Sequence, residues 1–370
     1  MPILRALLVA PVVLTLLALG TASLPSEPHL TPASPHLHRL VAEGDAPAAA
    51  LLAGPSASAP YGTYGSAGPG IRPGDRFRAG SITKTFVATV VLQLVDEGEL
   101  RLSDSVEAHL PGLIRGQGND GARITLRSLL THTSGLYDYT EALPATDPAV
   151  TGAAGPSAQP LAPGTAIRTA LAHAPATAPG AYAYSNTNYV LLGLIVQRVT
   201  GHPYAAEIQR RVLTPLHLSG TSLPGARSAL PVPHSRGYHR SADDGTLRDV
   251  TAIDPRIAGA AGELVSTLAD LNHFYAALLG GRLLSPAQLA TLLDTRAADG
   301  RYGMGVYPQR LSCGTTVWGH DGHITGSYVR TAATVDGLHV FTFRVNTDAL
   351  PGPALQASLL EAEFCGSRTT

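Results

Sequence analysis

A discontinuous α/β domain carrying an all-α insertion is the fold this sequence predicts, and three observations support it. The last part of the chain alternates β-type runs with turn dipeptides, a helical pattern opens at Ser81, and the middle reads as helical. A chain of 370 residues is long enough to bury a large core, in one big domain or two.

Residues 1–22 have the pattern of a secretory leader. Arg5 supplies the positive region, Ala6 to Leu19 form an apolar run broken only by Pro11 and Thr15, and Gly20-Thr21-Ala22 offers small residues for cleavage. The rival reading is a membrane anchor, but the run is shorter than the roughly 20 apolar residues of a span. No cysteine nearby could carry a lipid, so a secreted, extracellular protein without a stable membrane anchor is expected. Residues 23–34 read as a flexible start within a Pro-, Ala- and Ser-rich stretch that reaches about residue 60. The domain then spans 35–365, with its α/β part at 35–90 and 255–365 and a mostly helical part at 91–254.

From Ser81 to Leu100, Ile82, Thr85, Phe86, Thr89, Val90 and Leu94 recur on one helix face, and Gly98 is a plausible stop. A short helix is expected over Leu126–Thr131, ending at Ser134-Gly135, then a long surface excursion over 140–180. Asn188–Val199 reads as a buried helix stopped by Gly201 and Pro203. Thr221–Arg256 is turn-rich, with Asp243-Asp244-Gly245 as a hairpin tip. Helices follow at Leu264–Leu279 and Pro286–Leu293. Strands are expected at Tyr302–Tyr307, Thr315–Trp318, Gly326–Val335 and His339–Val345, separated by Asp321-Gly322 and Asp336-Gly337, before a last helix at Ala354–Phe364. No internal repeat is visible.

A formal charge of −1 and a pI near 6.9 give no reason to expect nucleic acid or an anionic membrane as partner. The basic residues are almost all arginine: Lys84 is the only lysine in the chain. Cys313 and Cys365 are the only cysteines; with a secretory leader a disulfide is favoured over two buried thiols, and closing that loop would add about 4 kcal/mol on the chain-entropy picture.

The lone lysine sits in Ser81-Ile82-Thr83-Lys84. Positions i and i+3 share a helix face, so Ser81 Oγ and Lys84 Nζ can meet, near a helix N-terminus whose N–H groups favour negative charge. A serine hydroxyl needs a base, and lysine can be one when its pKa is lowered, whereas arginine cannot. An isolated S-x-x-K is nonetheless a common pattern without meaning. Tyr184-Ser185-Asn186 lies on a loop entering the helix at Asn188. Tyr184 could shuttle a proton if a nearby cation lowered its pKa, and Asn186 could hold a substrate amide; the bland alternative is a capping Asn beside a half-buried Tyr. In His320-Asp321-Gly322-His323, Gly322 would let a substrate backbone lie along a strand edge and His320 could donate to an oxyanion or a carboxylate; the alternative is an Asp-Gly hairpin turn. Zinc ligation by His320 and His323 is disfavoured because no H-E-x-x-H occurs, and G-x-S-x-G is missing because Ala79 and Thr83 flank Ser81.

In the order S-x-x-K, Y-x-N, H-x-G the three motifs together resemble the serine β-lactamase and penicillin-binding superfamily, in its class C and D-Ala-D-Ala carboxypeptidase branch. Leu130-Thr131-His132-Thr133-Ser134-Gly135-Leu136 matches a landmark of that family, and Ser312-Cys313-Gly314-Thr315 before Gly319-His320 is similar to its secreted carboxypeptidases. The likeness covers about residues 35–365. It implies a β-lactamase/transpeptidase-like fold, an antiparallel sheet flanked by helices. It also implies Ser81 as acylated nucleophile, Lys84 and Tyr184 as proton carriers, and Asn186 and His320 holding the substrate or the proton network. Backbone N–H groups of Ser81 and His323 would form the oxyanion hole.

Where that branch places an arginine and two threonines for the substrate's terminal carboxylate, this chain has Tyr307, with Arg310 close by, and Asp321 and His323 around Gly322. An acidic Asp321 would repel a carboxylate unless it points away. The first expectation is a cofactor-free D-alanyl-D-alanine carboxypeptidase, monomeric and acylated by β-lactams. An esterase or D-amino-acid amidase on the same scaffold is the second, with a small peptide, ester or β-lactam as ligand in either case. A non-catalytic binder of cell-wall peptides is the alternative of another class.

Overall fold

Alternating apolar residues in the C-terminal part of the chain build the centre of a six-stranded antiparallel sheet, and two strands from the N-terminal part complete it. The computed structural model describes residues 31–43, 46–55, 63–143, 162–241, 244–349 and 352–366. The leader-like segment 1–22, most of the expected flexible start at 23–34, part of the 140–180 excursion and Asp243 of the expected hairpin tip lie outside the described residues.

In chain order the helices are α1 (Ser34–Ala42), α2 (Thr83–Asp96), α3 (Val106–His109), α4 (Leu126–Leu130), α5 (Pro163–Leu171), α6 (Asn186–Thr200), α7 (Tyr204–Ile208), α8 (Leu268–Leu279), α9 (Pro286–Leu292) and α10 (Pro353–Cys365). The strands are β1 (Ala49–Pro55), β2 (Thr63–Ala67), β3 (Phe77–Arg78), β4 (Arg115–Gly116), β5 (Asn119–Asp120), β6 (Tyr238–Arg240), β7 (Leu247–Asp249), β8 (Val265–Ser266), β9 (Tyr307–Arg310), β10 (Thr316–Ile324), β11 (Ser327–Thr334) and β12 (His339–Val345).

The sheet order is β2-β1-β12-β11-β10-β9. Because successive side chains alternate, each strand feeds two cores. Ala49, Leu51, Phe341, Phe343, Val345 and Ala332 face α1 and α10, whose Leu37, Leu40, Leu359 and Leu360 close that layer. Ala48, Ala50, Val329, Ala333 and Val340 face the other way, onto α8 and α2, where Phe86 and Phe274 stack with ring centroids 3.6 Å apart. Helix α2 is therefore buried almost all round, with Phe86, Val87, Val90, Val91, Leu92 and Leu94 in the core. Between α2 and α8 the described chain is largely turns and loops, carrying the helices α3 to α7, the short pairs β4–β5 and β6–β7, and β8, which pairs with β3.

Four sequence expectations change. The expected strand Tyr302–Tyr307 is a loop, and the strand begins where that range ends, at Tyr307. Residues 302–306 are buried throughout because the loop lies against α2, where Gly305 approaches the backbone of Lys84 and Thr85, and not because they pair in a ladder. The strand expected to stop at Trp318 runs on to Ile324, so Asp321-Gly322 is strand interior and the turn falls at Thr325-Gly326, where Gly326 has φ +77°. Val265 and Ser266, expected to be helical, pair with β3, and α8 starts after Thr267, whose hydroxyl accepts from the Asp270 N–H. The 140–180 excursion contains α5, entered through Pro163 in its first turn.

The disulfide joins Cys313, just after β9, to Cys365 at the end of α10, across a sequence separation of 52. It fastens the helix covering one face of the sheet to the sheet's edge. Cys313→Ser is expected to lower the unfolding free energy by about 4 kcal/mol. Urea unfolding under oxidising conditions measures this, and an unchanged midpoint would mean that α10 stays docked through its leucines alone.

Candidate active site

Ser81 is delivered by a short 3₁₀ turn, Gly80–Ile82, that leads into α2. The turn is stitched down at both ends: Thr83 Oγ1 donates to the Gly80 carbonyl at 2.7 Å and accepts from the Leu264 N–H at 3.0 Å. Gly80 has φ +50°, and a β-carbon there would press on the backbone of His323. Gly322 is needed for the same close approach, since a β-carbon at that position would overlap the Ala79 carbonyl. Together the two glycines set the β10 edge directly against the residues leading to Ser81, with the His323 amide beside the turn.

Lys84 is fully buried, and its Nζ reaches three acceptors: Ser81 Oγ at 2.9 Å, Asn186 Oδ1 at 2.7 Å and the Ala261 carbonyl at 2.7 Å. Burial lowers its pKa from the ordinary lysine value to about 7, against the opposing fields of Asp138 and Asp321. A neutral amine has two N–H groups and one lone pair. The amide and carbonyl oxygens can only accept, so they take the two N–H groups and leave the lone pair for the Ser81 hydroxyl. The expected i, i+3 meeting of serine and lysine is present.

Ser81 exerts a hydrogen-bonding pull on the Tyr184 phenol, and Lys84 Nζ lies 4.9 Å from the Tyr184 ring centroid. The expectation that a nearby cation would lower its pKa is corrected: burial dominates and pushes the phenol well above its ordinary value. Its ring is packed on His132 with centroids 4.2 Å apart, so Tyr184 stays a neutral donor and relay. Asn186 begins α6, and its orientation is fixed by Asp138, which accepts from both the Asn186 backbone N–H (3.0 Å) and Nδ2 (2.8 Å). That bond points the amide oxygen at Lys84. Asp138 is a buried residue that the sequence reading missed; its only signal was its place two residues after the Leu130–Leu136 landmark.

His320 is turned away from the role of substrate donor. It is 1% exposed; its Nδ1 lies 2.5 Å from the Asp321 carbonyl, which can only accept, so Nε2 accepts from Tyr302 Oη at 2.8 Å. Burial lowers its pKa to about 4, opposed by Asp321 and assisted by Lys84, so it is a neutral member of the buried phenol network. Neither ring nitrogen is left for an oxyanion or a carboxylate.

Asp321 has a side chain 35% exposed and accepts from the Tyr307 hydroxyl at 2.8 Å. Burial works against its charge, yet His320, Arg330 and the Tyr307 hydroxyl hold its pKa below the ordinary carboxylate value. Arg330 stands opposite Asp321 on β11 and lays its guanidinium 4.2 Å from the Tyr307 ring centroid. Tyr307 is thus engaged with Asp321. Arg310 is exposed at the far end of β9, opposite Thr316, and is not brought into the group. The His323 side chain leaves the group too, with Nε2 2.8 Å from the Asp348 carbonyl. Among the described residues no cluster of three or more His, Cys, Asp or Glu could hold a metal ion, and no helix is long and apolar enough to cross a membrane.

A serine at the start of a buried helix, a near-neutral lysine one turn on, and a sheet edge beside them define a serine hydrolase of the penicillin-binding and β-lactamase fold. The chain belongs to the beta-lactamase family, whose model matches residues 36–344. It is 31% identical over 280 residues to penicillin-binding protein 4 of Amycolatopsis lactamdurans, covering 69% of this chain and 68% of that one. It is 29% identical over 233 residues to the PbpX protein of Bacillus subtilis (strain 168), of whose length it spans only 53%. A solved D-stereospecific amidohydrolase from Streptomyces sp. is 40% identical, with a TM-score of 0.81 over 91% of this chain and 98% of that one. The D-amino acid amidase from Ochrobactrum anthropi SV3, in complex with L-phenylalanine amide, is 25% identical with a TM-score of 0.75 over 90% and 97%.

Since Lys84 must be neutral to accept the Ser81 proton, kcat/KM for an uncharged ester is expected to rise tenfold per pH unit below about pH 7 and level off above it. Lys84→Arg should abolish that activity. A profile flat from pH 5 to 9, or an active arginine variant, would remove Lys84 as the base.

Proposed function

We propose that this chain is an exported hydrolase that cleaves amides of D-configured acyl groups through a covalent Ser81 acyl-enzyme. The hydrogen-bond set of Lys84, which leaves its lone pair for Ser81, carries the proposal. Lys84 takes the hydroxyl proton as Ser81 Oγ attacks the carbonyl carbon. The backbone N–H groups of Ser81 and His323, set close together by Gly80 and Gly322, receive the oxyanion. Tyr184 passes its phenolic proton to the departing nitrogen and is reprotonated from the Lys84 ammonium. The C–N bond then breaks and the amine leaves. Water repeats the sequence on the acyl-enzyme, freeing the acid and restoring Ser81.

Asp321 supports a leaving group without a carboxylate. It places an anion on the β10 edge; Tyr307 and Arg310 supply no cation there, and the cation opposite it, Arg330, is buried under Tyr307 and out of a substrate's reach. The likeness to a D-stereospecific amidohydrolase supports the same substrate class. D-Ala-D-Ala carboxypeptidase action is the second reading, favoured by the relation to penicillin-binding protein 4. Export rests on the leader-like residues 1–22.

The discriminating comparison is an acyl-D-Ala amide against the matching acyl-D-Ala-D-Ala with a free carboxylate. The amide is expected to be the better substrate. Asp321→Asn should shift the ratio of kcat/KM values toward the carboxylate by about tenfold, the effect of one screened charge at close range. A wild-type preference for the free carboxylate, unchanged in the variant, would favour the carboxypeptidase. Turnover retained by Ser81→Ala would refute both.

A further inference from the structure

Two buried arginines line one cavity where β3 passes under the turn between β10 and β11. Arg78 is 4% exposed and Arg344 2% exposed, and both line one small cavity with Phe77, Ser235, Val250 and Ser327. Arg78 Nη2 donates to the carbonyls of Ser228, Thr251 and Ile253 at 2.5, 3.4 and 3.1 Å. Its Nε and Nη1 have no partner among the described residues, and the same is true of Nε and Nη1 of Arg344 and of the buried Ser235 hydroxyl. One face of Arg344 lies over Phe77, 4.3 Å from the ring centroid.

Among the described residues neither guanidinium is in an ion pair, although the fields of two carboxylates reach them. Asp254, whose field reaches Arg78, is held in a fork by Arg256 at 2.6 Å. Asp75, whose field reaches Arg344, accepts from the Arg72 backbone N–H at 2.9 Å. Burial lowers both guanidinium pKa values to about 10, which leaves them cationic at neutral pH. Buried charge without a directly bonded counter-charge is costly, and a water would meet the N–H groups without meeting the charge. The cavity is small, with room for one small species.

We propose that this cavity binds a single small monovalent anion, chloride, between Arg78, Arg344 and Ser235. The anion would tie β3, which leads to Ser81, to the turn that ends β10. Ser327 already joins these two elements through its hydroxyl, which donates to the Arg78 carbonyl at 2.8 Å. The ligand is structural, and the site is separate from Ser81.

The test pairs crystallography in sodium bromide with thermal unfolding in sodium chloride and in sodium gluconate at equal ionic strength. Gluconate is too large for the cavity. An anomalous bromide peak within hydrogen-bond reach of Arg78 and Arg344, with a Tm that rises with chloride and not with gluconate, is expected. Arg344→Met should remove the chloride dependence, and formation of the Ser81 adduct with benzylpenicillin or a reactive ester would report that the variant is folded. Should that variant fail to fold, Ser235→Ala should raise the chloride concentration at half-effect about fivefold through loss of one hydrogen bond. No peak at the cavity overturns the proposal. A peak seen only in molar bromide, with equal Tm in the two salts, means an adventitious ion only and overturns it as well.

Discussion

A lysine amine buried without a carboxylate in hydrogen-bond contact is the constraint on which the rest of the site depends. Asp138 stands one residue removed, bonded to Asn186 and not to Lys84, so its field reaches the amine without forming an ion pair with it. A direct carboxylate partner would hold the proton on lysine and end its use as a base. An amide and a backbone carbonyl instead satisfy its N–H groups while adding no negative charge. The frame enforces this arrangement: α2 is buried on nearly every side, and the chain around Ala261 closes over the amine.

Strand β10 does the complementary work. Its alternation divides the H-x-G motif, with His320 and Gly322 buried toward the serine turn and Asp321 and His323 left partly or fully exposed. His320 thereby joins buried phenols and loses contact with substrate, while Asp321 is charged and reachable from solvent. The catalytic chemistry and the choice of leaving group thus sit on neighbouring residues of one strand and can vary separately.

The nucleophile and its base were legible because their spacing is local: i and i+3 on a helix fixes Ser81 against Lys84, and the scarcity of lysine singles out the pair. Asn186 was legible as a polar group entering a helix, but Asp138 was not, since its bond to Asn186 crosses 48 positions with no periodic signal. Asp321-Gly322 misled in a specific way. Asp-Gly is a turn signal, but here glycine answers a close approach by Ala79, and only tertiary contact tells the two apart. Strands β1 and β2 were hidden because small residues such as Ala49, Ala50, Ala53 and Gly65 carry little β-signal, and their place is decided by pairing with β12 and with each other. The strong β12 and α10 were read almost to the residue, as runs whose apolar pattern and burial agree.

The most direct test of the account is the protonation state of Lys84 itself. As the chain has one lysine, ¹³Cε-lysine labelling gives a single side-chain NMR signal that needs no assignment. A chemical-shift titration centred near pH 7, displaced upward in Asn186→Asp where a carboxylate would face the amine, is the expected result. A signal that stays in the protonated range up to pH 10 would contradict the account, because no neutral amine would then be available to Ser81.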